Sequence, residues 1–192
     1  MSEGPDLGGV VLSGGTAARL QGADKASVEV GGLTLLEHVL GALAEVREVV
    51  VVGDELVTSR PVTFLREDPT EGGPAAGLLA GLAGFPRPPR LVVVLAVDMP
   101  RVTAATVRRL VETVDGDGAL LVDEEGRRQY LCAVYRTAAL LSAAPPLEEQ
   151  HGLPMRRLVD ELRLAEVPAM AGETRDIDTW DDLLELREQL GE

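Results

Sequence analysis

Lysine is nearly absent from this sequence. Of its 18 basic residues only one, Lys25, is a lysine, although lysine is normally among the commonest amino acids. A compositional bias towards arginine explains why the other lysines are missing, but it does not explain why one remains. The segment around Lys25 is therefore the first place to look for a function.

Positive charge is scarce as well. The 192-residue chain carries 32 acidic side chains against 18 basic ones, a formal net charge of -14 at pH 7. Because a phosphate backbone is bound by a basic face, this composition argues against nucleic acid as a partner. It does not exclude a small anionic ligand, since a local group of cations can oppose the overall charge.

Long apolar runs and paired cysteines are also missing. The longest apolar run, 91–97, is far shorter than the roughly 20 residues needed to cross a bilayer, so we expect no membrane association. Residues 1–6 lack the basic start and apolar core of a signal peptide. The single cysteine, Cys132, cannot form an internal disulfide, and its apolar surroundings favour a core residue over a nucleophile. A cytoplasmic location fits these features.

Predicted strands and helices alternate along the chain. Apolar runs predict strands over 9–13, 48–52, 62–65, 90–97, 118–122, 129–136 and 164–167. Apolar residues at helical spacing predict helices over 34–46, 74–84, 103–113, 138–143, 155–161 and 181–190. This alternation is typical of a mostly parallel sheet with helices on both faces, in one domain over 1–192 with a flexible start at 1–7. Such sheets bind ligands beyond the carboxyl ends of their strands, where the loops 13–25 and 98–102 emerge.

Two of the helices carry further signals. Thr103 is a typical N-cap for the helix that ends near residue 113. We expect Trp180 to pack the acidic last helix against the rest of the domain. The same helix has an apolar stripe made by Leu183, Leu184, Leu186 and Leu190.

The loop after the first strand contains small side chains and two cations. It runs from Leu12 through Gly14-Gly15 to Lys25 and includes Arg19. The glycine pair either simply turns the chain or lets backbone N–H groups approach a phosphate, whose charge Arg19 and Lys25 would neutralise. The spacing matches neither a Walker loop nor G-x-G-x-x-G. The position of the only lysine in this loop favours phosphate binding.

Acidic residues follow the strand predicted over 90–97 and precede the helix predicted over 181–190. Asp98 directly follows the most hydrophobic strand. Its carboxylate either suits Mg²⁺, which completes its shell with water and substrate phosphates, or only turns the chain before Pro100. Asp176 and Asp178 precede the last helix, where they either add a second carboxylate near the metal or cap the helix. The residues alone leave both alternatives open.

Five segments of the chain form a recognisable series. They are Leu12-Ser13-Gly14-Gly15 with Arg19 and Asp24-Lys25, then 31–39, Gly73-Pro74-Ala75-Ala76-Gly77, Ala96-Val97-Asp98-Met99-Pro100 and Asp176-Ile177-Asp178-Thr179. In order and spacing, this series resembles the motifs of the molybdenum cofactor guanylyltransferases: a nucleotide-binding loop, G-x-P-L-L-x-H-V, G-P-L-A-G, a metal-binding strand end and a closing motif before the last helix. The similarity covers roughly residues 9 to 186.

The resemblance implies a three-layer, Rossmann-like α/β sandwich with a mostly parallel central sheet. It implies an enzyme that transfers GMP from GTP to the terminal phosphate of Mo-molybdopterin, with Mg²⁺ as cofactor and pyrophosphate as leaving group. Carried over by position, the expected nucleotide contacts are Leu12, Ser13, Gly14, Gly15, Lys25, Asp68 and Asp98. The expected catalytic residues are Lys25, Arg19 and Asp98, and the expected metal ligand is Asp98, with Asp178 as the candidate for a second. Phosphoryl-type transfer needs mainly positioning and charge neutralisation, which such residues supply.

The sequence leaves alternatives to this function open. The Ser-Gly-Gly and Gly-Pro-x-x-Gly segments favour the guanylyl branch, but Gly53 stands where relatives can have an asparagine that contacts the nucleotide. A cytidylyltransferase, or a transferase for another phosphorylated acceptor, therefore stays open. A catalytically silent nucleotide-binding scaffold is the alternative from another class. The partners implied by the resemblance are GTP and Mo-molybdopterin, together with molybdoenzyme apoproteins or other proteins of cofactor synthesis.

Overall fold

The computed structural model describes residues 6–14, 24–66, 72–170 and 172–190. These residues form nine strands: β1 Leu7–Leu12, β2 Glu29–Val30, β3 Leu33–Thr34, β4 Glu48–Val52, β5 Thr63–Leu65, β6 Leu91–Ala96, β7 Gly118–Val122, β8 Arg128–Arg136 and β9 Leu164–Pro168. Their helices are α1 Leu35–Ala42, α2 Pro74–Ala83, α3 Ala104–Thr113, α4 Thr137–Ala143, α5 Met155–Leu158 and α6 Trp180–Leu190. The predicted α/β class is confirmed.

A five-stranded sheet in the order β5-β4-β1-β6-β8 forms the central layer. Its first four strands run parallel, whereas β8 pairs antiparallel with β6. β7 pairs in parallel with β9 and lies beside β8, so this pair extends the sheet. The sheet is therefore mostly parallel, as the sequence predicted. Burial of its strands on both faces explains their uninterrupted apolar runs.

Helices cover both faces of the sheet. On one face, α1, α3 and α6 pack over inward side chains such as Val11 and Val93. On the other face, α2, α4 and α5 pack over Val10 and Val94. Because successive side chains of a strand point to opposite faces, each strand contributes to both halves of the core. The result is the expected three-layer sandwich.

Threonine side chains cap α1 and α3 at their amino ends. The Thr34 hydroxyl accepts a hydrogen bond from the Glu37 N–H at 3.1 Å, so α1 begins after Thr34. At α3, the Thr103 hydroxyl accepts from the Thr106 N–H at 3.3 Å, and the Thr106 hydroxyl accepts from the Thr103 N–H at 3.1 Å. This reciprocal capping box confirms Thr103 as the predicted N-cap.

Two predicted helices have the wrong bounds. The helix predicted over 34–46 ends at Ala42, and the hairpin of β2 and β3 that precedes it was not predicted. The hairpin turns at Gly31 and Gly32, whose φ angles of 61° and 72° favour glycine. Strands of two residues are too short to show an alternating pattern. The helix predicted over 155–161 ends at Leu158.

The last helix packs through a narrower stripe than predicted. Leu183 and Leu186 are buried, but Leu184 is 53% exposed and Trp180 is 41% exposed. A helix turns by about 100° per residue, so Leu184 cannot share the buried line of its neighbour Leu183. The packing expected of Leu184 and Trp180 is therefore wrong.

The expectations for Cys132 and for the membrane can also be compared with the structure. Cys132 is fully buried, and burial raises the pKa of its thiol to about 12, so it is a core residue as predicted. None of the helices in the described part of the chain is long and apolar enough to span a bilayer.

Candidate active site

Three neighbouring parallel strands end at the same level of the sheet. Leu12 of β1 lies opposite Val52 of β4 on one side and Ala96 of β6 on the other. The segments that follow these strands therefore leave from one edge, at which open α/β sheets bind their ligands. They begin at Ser13, Gly53 and Val97.

Asp98 is held at this edge by backbone hydrogen bonds. The N–H of the preceding Val97 donates to the Leu12 carbonyl at 3.0 Å, and the Asp98 carbonyl accepts from the Ile177 N–H at 2.8 Å. The Ile177 side chain is fully buried. The segment that precedes α6 is therefore fixed against the end of β6, with Asp176 and Asp178 on either side of the contact.

Lys25 lies between two carboxylates at this edge. Its Nζ is 2.7 Å from Asp178 Oδ1 and 3.3 Å from Asp98 Oδ2, although these residues are 153 and 73 positions away along the chain. The lysine begins a 3₁₀ turn, Lys25–Ser27, which Asp24 caps by accepting from the Ala26 N–H at 3.1 Å. The structure thus brings together three residues that separate motifs had singled out.

Negative charge exceeds positive charge among Lys25, Asp98, Asp178 and the nearby Asp176. Burial alone would lower the pKa of Lys25, but hydrogen bonds and charges from Asp178 and Asp98 outweigh it, so the pKa is raised and the amine stays protonated. Burial and then the charges of Asp178 and Asp98 also raise the pKa of Asp176. Three carboxylates and one ammonium leave a surplus of negative charge, which favours a further cation.

Other residues cap the helix that follows Asp178. The Thr179 hydroxyl accepts from the Asp182 N–H at 3.2 Å, and the Asp182 carboxylate accepts from the Thr179 N–H at 2.8 Å. This is a capping box at the start of α6. Of the two alternatives for Asp178, the geometry therefore places its carboxylate beside Lys25 and Asp98.

The carboxylates suit a hard divalent cation such as Mg²⁺. Asp98 and Asp178 both contact one ammonium, so a single cation in its place can reach both. Mg²⁺ typically takes one or two carboxylates and fills its shell with water and substrate phosphates. No group of three or more His, Cys, Asp or Glu among the described residues is arranged to hold a metal by itself. The pair Asp98 and Asp178 supplies the one or two carboxylates that Mg²⁺ typically takes from a protein.

Backbone groups that follow β1 are hydrogen-bonded to β4. The Ser13 and Gly14 N–H groups donate to the Val52 carbonyl at 3.0 and 3.2 Å, and the Ser13 hydroxyl donates to the same oxygen at 3.1 Å. The Leu12 carbonyl accepts from Val97. A nucleotide that binds through these N–H groups must therefore share or displace existing hydrogen bonds.

Gly53 faces the Ser13 side chain across this edge. A Cβ atom added at Gly53 would lie only 2.0 Å from Ser13 Oγ. Since Ser13 is itself buried, its hydroxyl fills the space that a side chain at position 53 would need. Glycine at position 53 therefore has a steric reason in this chain.

Three of the expected site residues, Gly15, Arg19 and Asp68, lie outside the described residues, and their roles stay predictions. The remaining expected residues all lie at the carboxyl edge of the sheet. They are Leu12, Ser13, Gly14, Lys25, Asp98 and Asp178.

Glu173 is a buried acidic residue near this edge that the sequence analysis missed. It is 7% exposed, and its Oε2 lies 2.8 Å from Nη2 of Arg109 on α3. The two residues are 64 positions apart, and neither belongs to a motif. No local sequence pattern could have identified the pair.

Comparison with known proteins places these observations in a family. A family model described as a MobA-like NTP transferase domain matches residues 9–167. The chain is 39% identical over 139 residues to a Mycobacterium tuberculosis protein named "Probable molybdenum cofactor guanylyltransferase", and the alignment covers 68% of each protein.

Solved structures have a similar fold. The molybdopterin-guanine dinucleotide biosynthesis protein A of Archaeoglobus fulgidus superposes with a TM-score of 0.72 at 23% identity, covering 95% of this chain and 97% of that one. Rv0371c of M. tuberculosis, solved as a complex with manganese, superposes with a TM-score of 0.68 at 17% identity, covering 95% and 98%.

Proposed function

The chain belongs to the MobA-like NTP transferase family, and on that premise we propose that it is a molybdenum cofactor guanylyltransferase. The proposed reaction transfers GMP from GTP to the terminal phosphate of Mo-molybdopterin. An oxygen of the acceptor phosphate forms a bond to the α-phosphorus of GTP, the bond from that phosphorus to the β-phosphate oxygen breaks, and pyrophosphate leaves.

One observation carries this proposal. The only lysine of the chain meets Asp98 and Asp178 at the carboxyl edge of the sheet, with contacts of 3.3 and 2.7 Å. An ammonium beside paired carboxylates is what a metal–triphosphate complex needs, because one part binds phosphate oxygens and the other binds the cation. The M. tuberculosis relative at 39% identity, named "Probable molybdenum cofactor guanylyltransferase", favours GTP as the donor.

Each residue then has a defined task. Lys25 donates hydrogen bonds to phosphate oxygens, which stabilises the charge that builds up as pyrophosphate leaves. Asp98 and Asp178 hold the cation, and Arg19, Asp68 and the backbone of Leu12 to Gly15 contact the nucleotide. A bound Mg²⁺ supplies Lewis-acid neutralisation of the phosphate charge. The manganese complex of Rv0371c supports a divalent metal in this fold.

A coupled pyrophosphate assay tests this function. Purified protein is supplied with Mo-molybdopterin, Mg²⁺ and, in turn, GTP, CTP, ATP or UTP, and we expect pyrophosphate release to be fastest with GTP. Faster release with CTP would assign the chain to the cytidylyl alternative. Nucleotide binding without pyrophosphate release from any nucleotide would favour the silent scaffold.

A pair of matched variants separates site chemistry from general damage. Asp98→Asn removes a proposed metal ligand and should abolish most of the activity. Asp115→Asn is the control, since Asp115 is an exposed residue of the loop that precedes β7 and caps the Gly116 N–H at 2.8 Å. Equal activities of the two variants would contradict the proposed role of Asp98.

A further inference from the structure

Glu173 is a buried carboxylate near the site, and each of its two oxygens accepts two hydrogen bonds. Its Oε1 accepts from the Thr106 hydroxyl at 2.6 Å and from Arg109 Nη1 at 2.9 Å. Its Oε2 accepts from Arg109 Nη2 at 2.8 Å and from the Met170 N–H at 2.7 Å. Such a two-pronged arginine contact fixes orientation as well as distance.

These bonds attach one segment of the chain to α3. The segment runs from the end of β9 to the start of α6 and carries Asp176 and Asp178. It is fixed at one point by Glu173 and at a second by Ile177, whose N–H donates to the Asp98 carbonyl at 2.8 Å. Since Asp98 lies just before α3, both attachments join the segment to the unit formed by β6 and α3.

The carboxylates at this edge need such an attachment. Asp98, Asp176 and Asp178 carry like charges and repel one another, and Lys25 bridges two of them in the structure. When Lys25 binds phosphate instead, as the proposed function requires, the cation has to take over that bridge. Contacts outside the carboxylates must then hold the segment against β6, so that Asp178 is in place when the cation binds.

We propose that Glu173, through Arg109 and Thr106, is a positioning residue that keeps the Asp178 carboxylate within reach of the metal bound by Asp98. This inference deepens the proposed function and rests on it. Glu173 touches neither nucleotide nor metal in this role. Removing a group that orients a metal ligand without itself binding the metal typically weakens metal binding by about 10- to 100-fold.

Arg60 offers a control, because its guanidinium is also held by several hydrogen bonds but lies near the amino end of β4, away from the carboxyl edge that carries the site. Its guanidinium donates to the carbonyls of Leu43, Val46 and Arg47, between the end of α1 and the start of β4. Arg60→Ala therefore removes a comparable hydrogen-bonded arginine without touching the site. A purely structural role for Glu173 predicts that both variants lower the melting temperature and leave metal affinity alone.

The experiment measures Mn²⁺ binding by the electron paramagnetic resonance signal of free Mn²⁺, with and without GTP. We expect Glu173→Ala to weaken Mn²⁺ binding about tenfold, Glu173→Gln to weaken it less because its amide oxygen still accepts hydrogen bonds, and Arg60→Ala to leave it unchanged. If Glu173→Ala does not fold, Glu173→Gln and Arg109→Lys are compared with Arg60→Ala in the same way.

The possible outcomes separate the two proposals. Wild-type affinity in the Glu173 and Arg109 variants, with binding lost in Asp98→Asn, overturns the positioning role and leaves the metal site in place. Wild-type protein that binds no Mn²⁺, even with GTP, contradicts the proposed metal site and the positioning role with it.

Discussion

Replacing Lys25 should change the affinities for metal and for nucleotide in opposite directions. In the structure its ammonium occupies the two carboxylates proposed to bind the cation, whereas in the proposed complex it binds phosphate. Lys25→Met removes the charge and keeps an unbranched apolar side chain. Metal alone then no longer competes with an ammonium, but GTP loses a partner.

The size of both effects follows from the contacts. A hydrogen bond to a charged group contributes about 1.5–3 kcal/mol, so we expect GTP to bind about 10- to 150-fold more weakly. The Lys25 side chain is 17% exposed and the Asp178 side chain is 42% exposed, so solvent screens this ion pair. A screened pair contributes up to about 1 kcal/mol, so Mn²⁺ alone should bind up to about fivefold more tightly.

The assay is a calorimetric titration with Mn²⁺ alone, followed by one with GTP in the presence of Mg²⁺. Lys25→Arg is the charge-matched variant, and we expect its GTP affinity to fall between wild type and Lys25→Met, because a planar guanidinium presents its donors differently. Weaker binding of Mn²⁺ alone to Lys25→Met, or an unchanged GTP affinity, would refute the reasoning. Since the pKa of Lys25 is raised above 10.5, the ammonium is retained at neutral pH and is lost only as the pH rises through the raised value.

Three further predictions concern stability. Because the folded-state pKa of Asp176 is raised above 3.8, its charged form costs stability, so Asp176→Asn should melt higher at pH 7. The gain should shrink as the pH falls through the raised pKa and should be gone below 3.8, and equal melting at pH 7 would contradict this. Burial alone would raise the pKa of Glu173, but hydrogen bonds from Arg109 and Thr106 outweigh it and lower the pKa from 4.5. The charged Glu173 should therefore stabilise the fold fully above pH 4.5, and this stabilisation should be lost as the pH falls through the lowered pKa. A difference in melting temperature between wild type and Glu173→Gln that is the same at all pH values would contradict this prediction. Gly53→Ala should cost about 1–3 kcal/mol in urea unfolding, because its Cβ would meet Ser13 Oγ at 2.0 Å and the φ of 158° at this position disfavours a side chain. Ser13→Gly should rescue only the part of the cost that comes from the Oγ contact, and no rescue at all would refute the steric explanation.

Much of the fold could be predicted from the sequence because its signals are local. The buried strands β4 and β6 appear in the sequence as uninterrupted apolar runs. Thr103, a typical N-cap residue, predicts the start of α3. The hairpin of β2 and β3 could not be predicted, because its two-residue strands contain no period to detect. Leu184 was misplaced because composition alone does not say how wide a stripe of α6 faces the core.

For the site, the sequence by itself determined the family resemblance and the residues that motifs carry, including Lys25, Asp98 and Asp178. It could not determine that Asp178 meets Lys25 while Thr179 caps the helix, since both alternatives fit the same spacing. Only the tertiary structure decided this, and only it revealed the contact between Glu173 and Arg109, 64 residues apart. The physical reason is that hydrogen bonds and ion pairs between distant segments depend on how the sheet and helices bring strand ends together, and they leave no local pattern in the sequence.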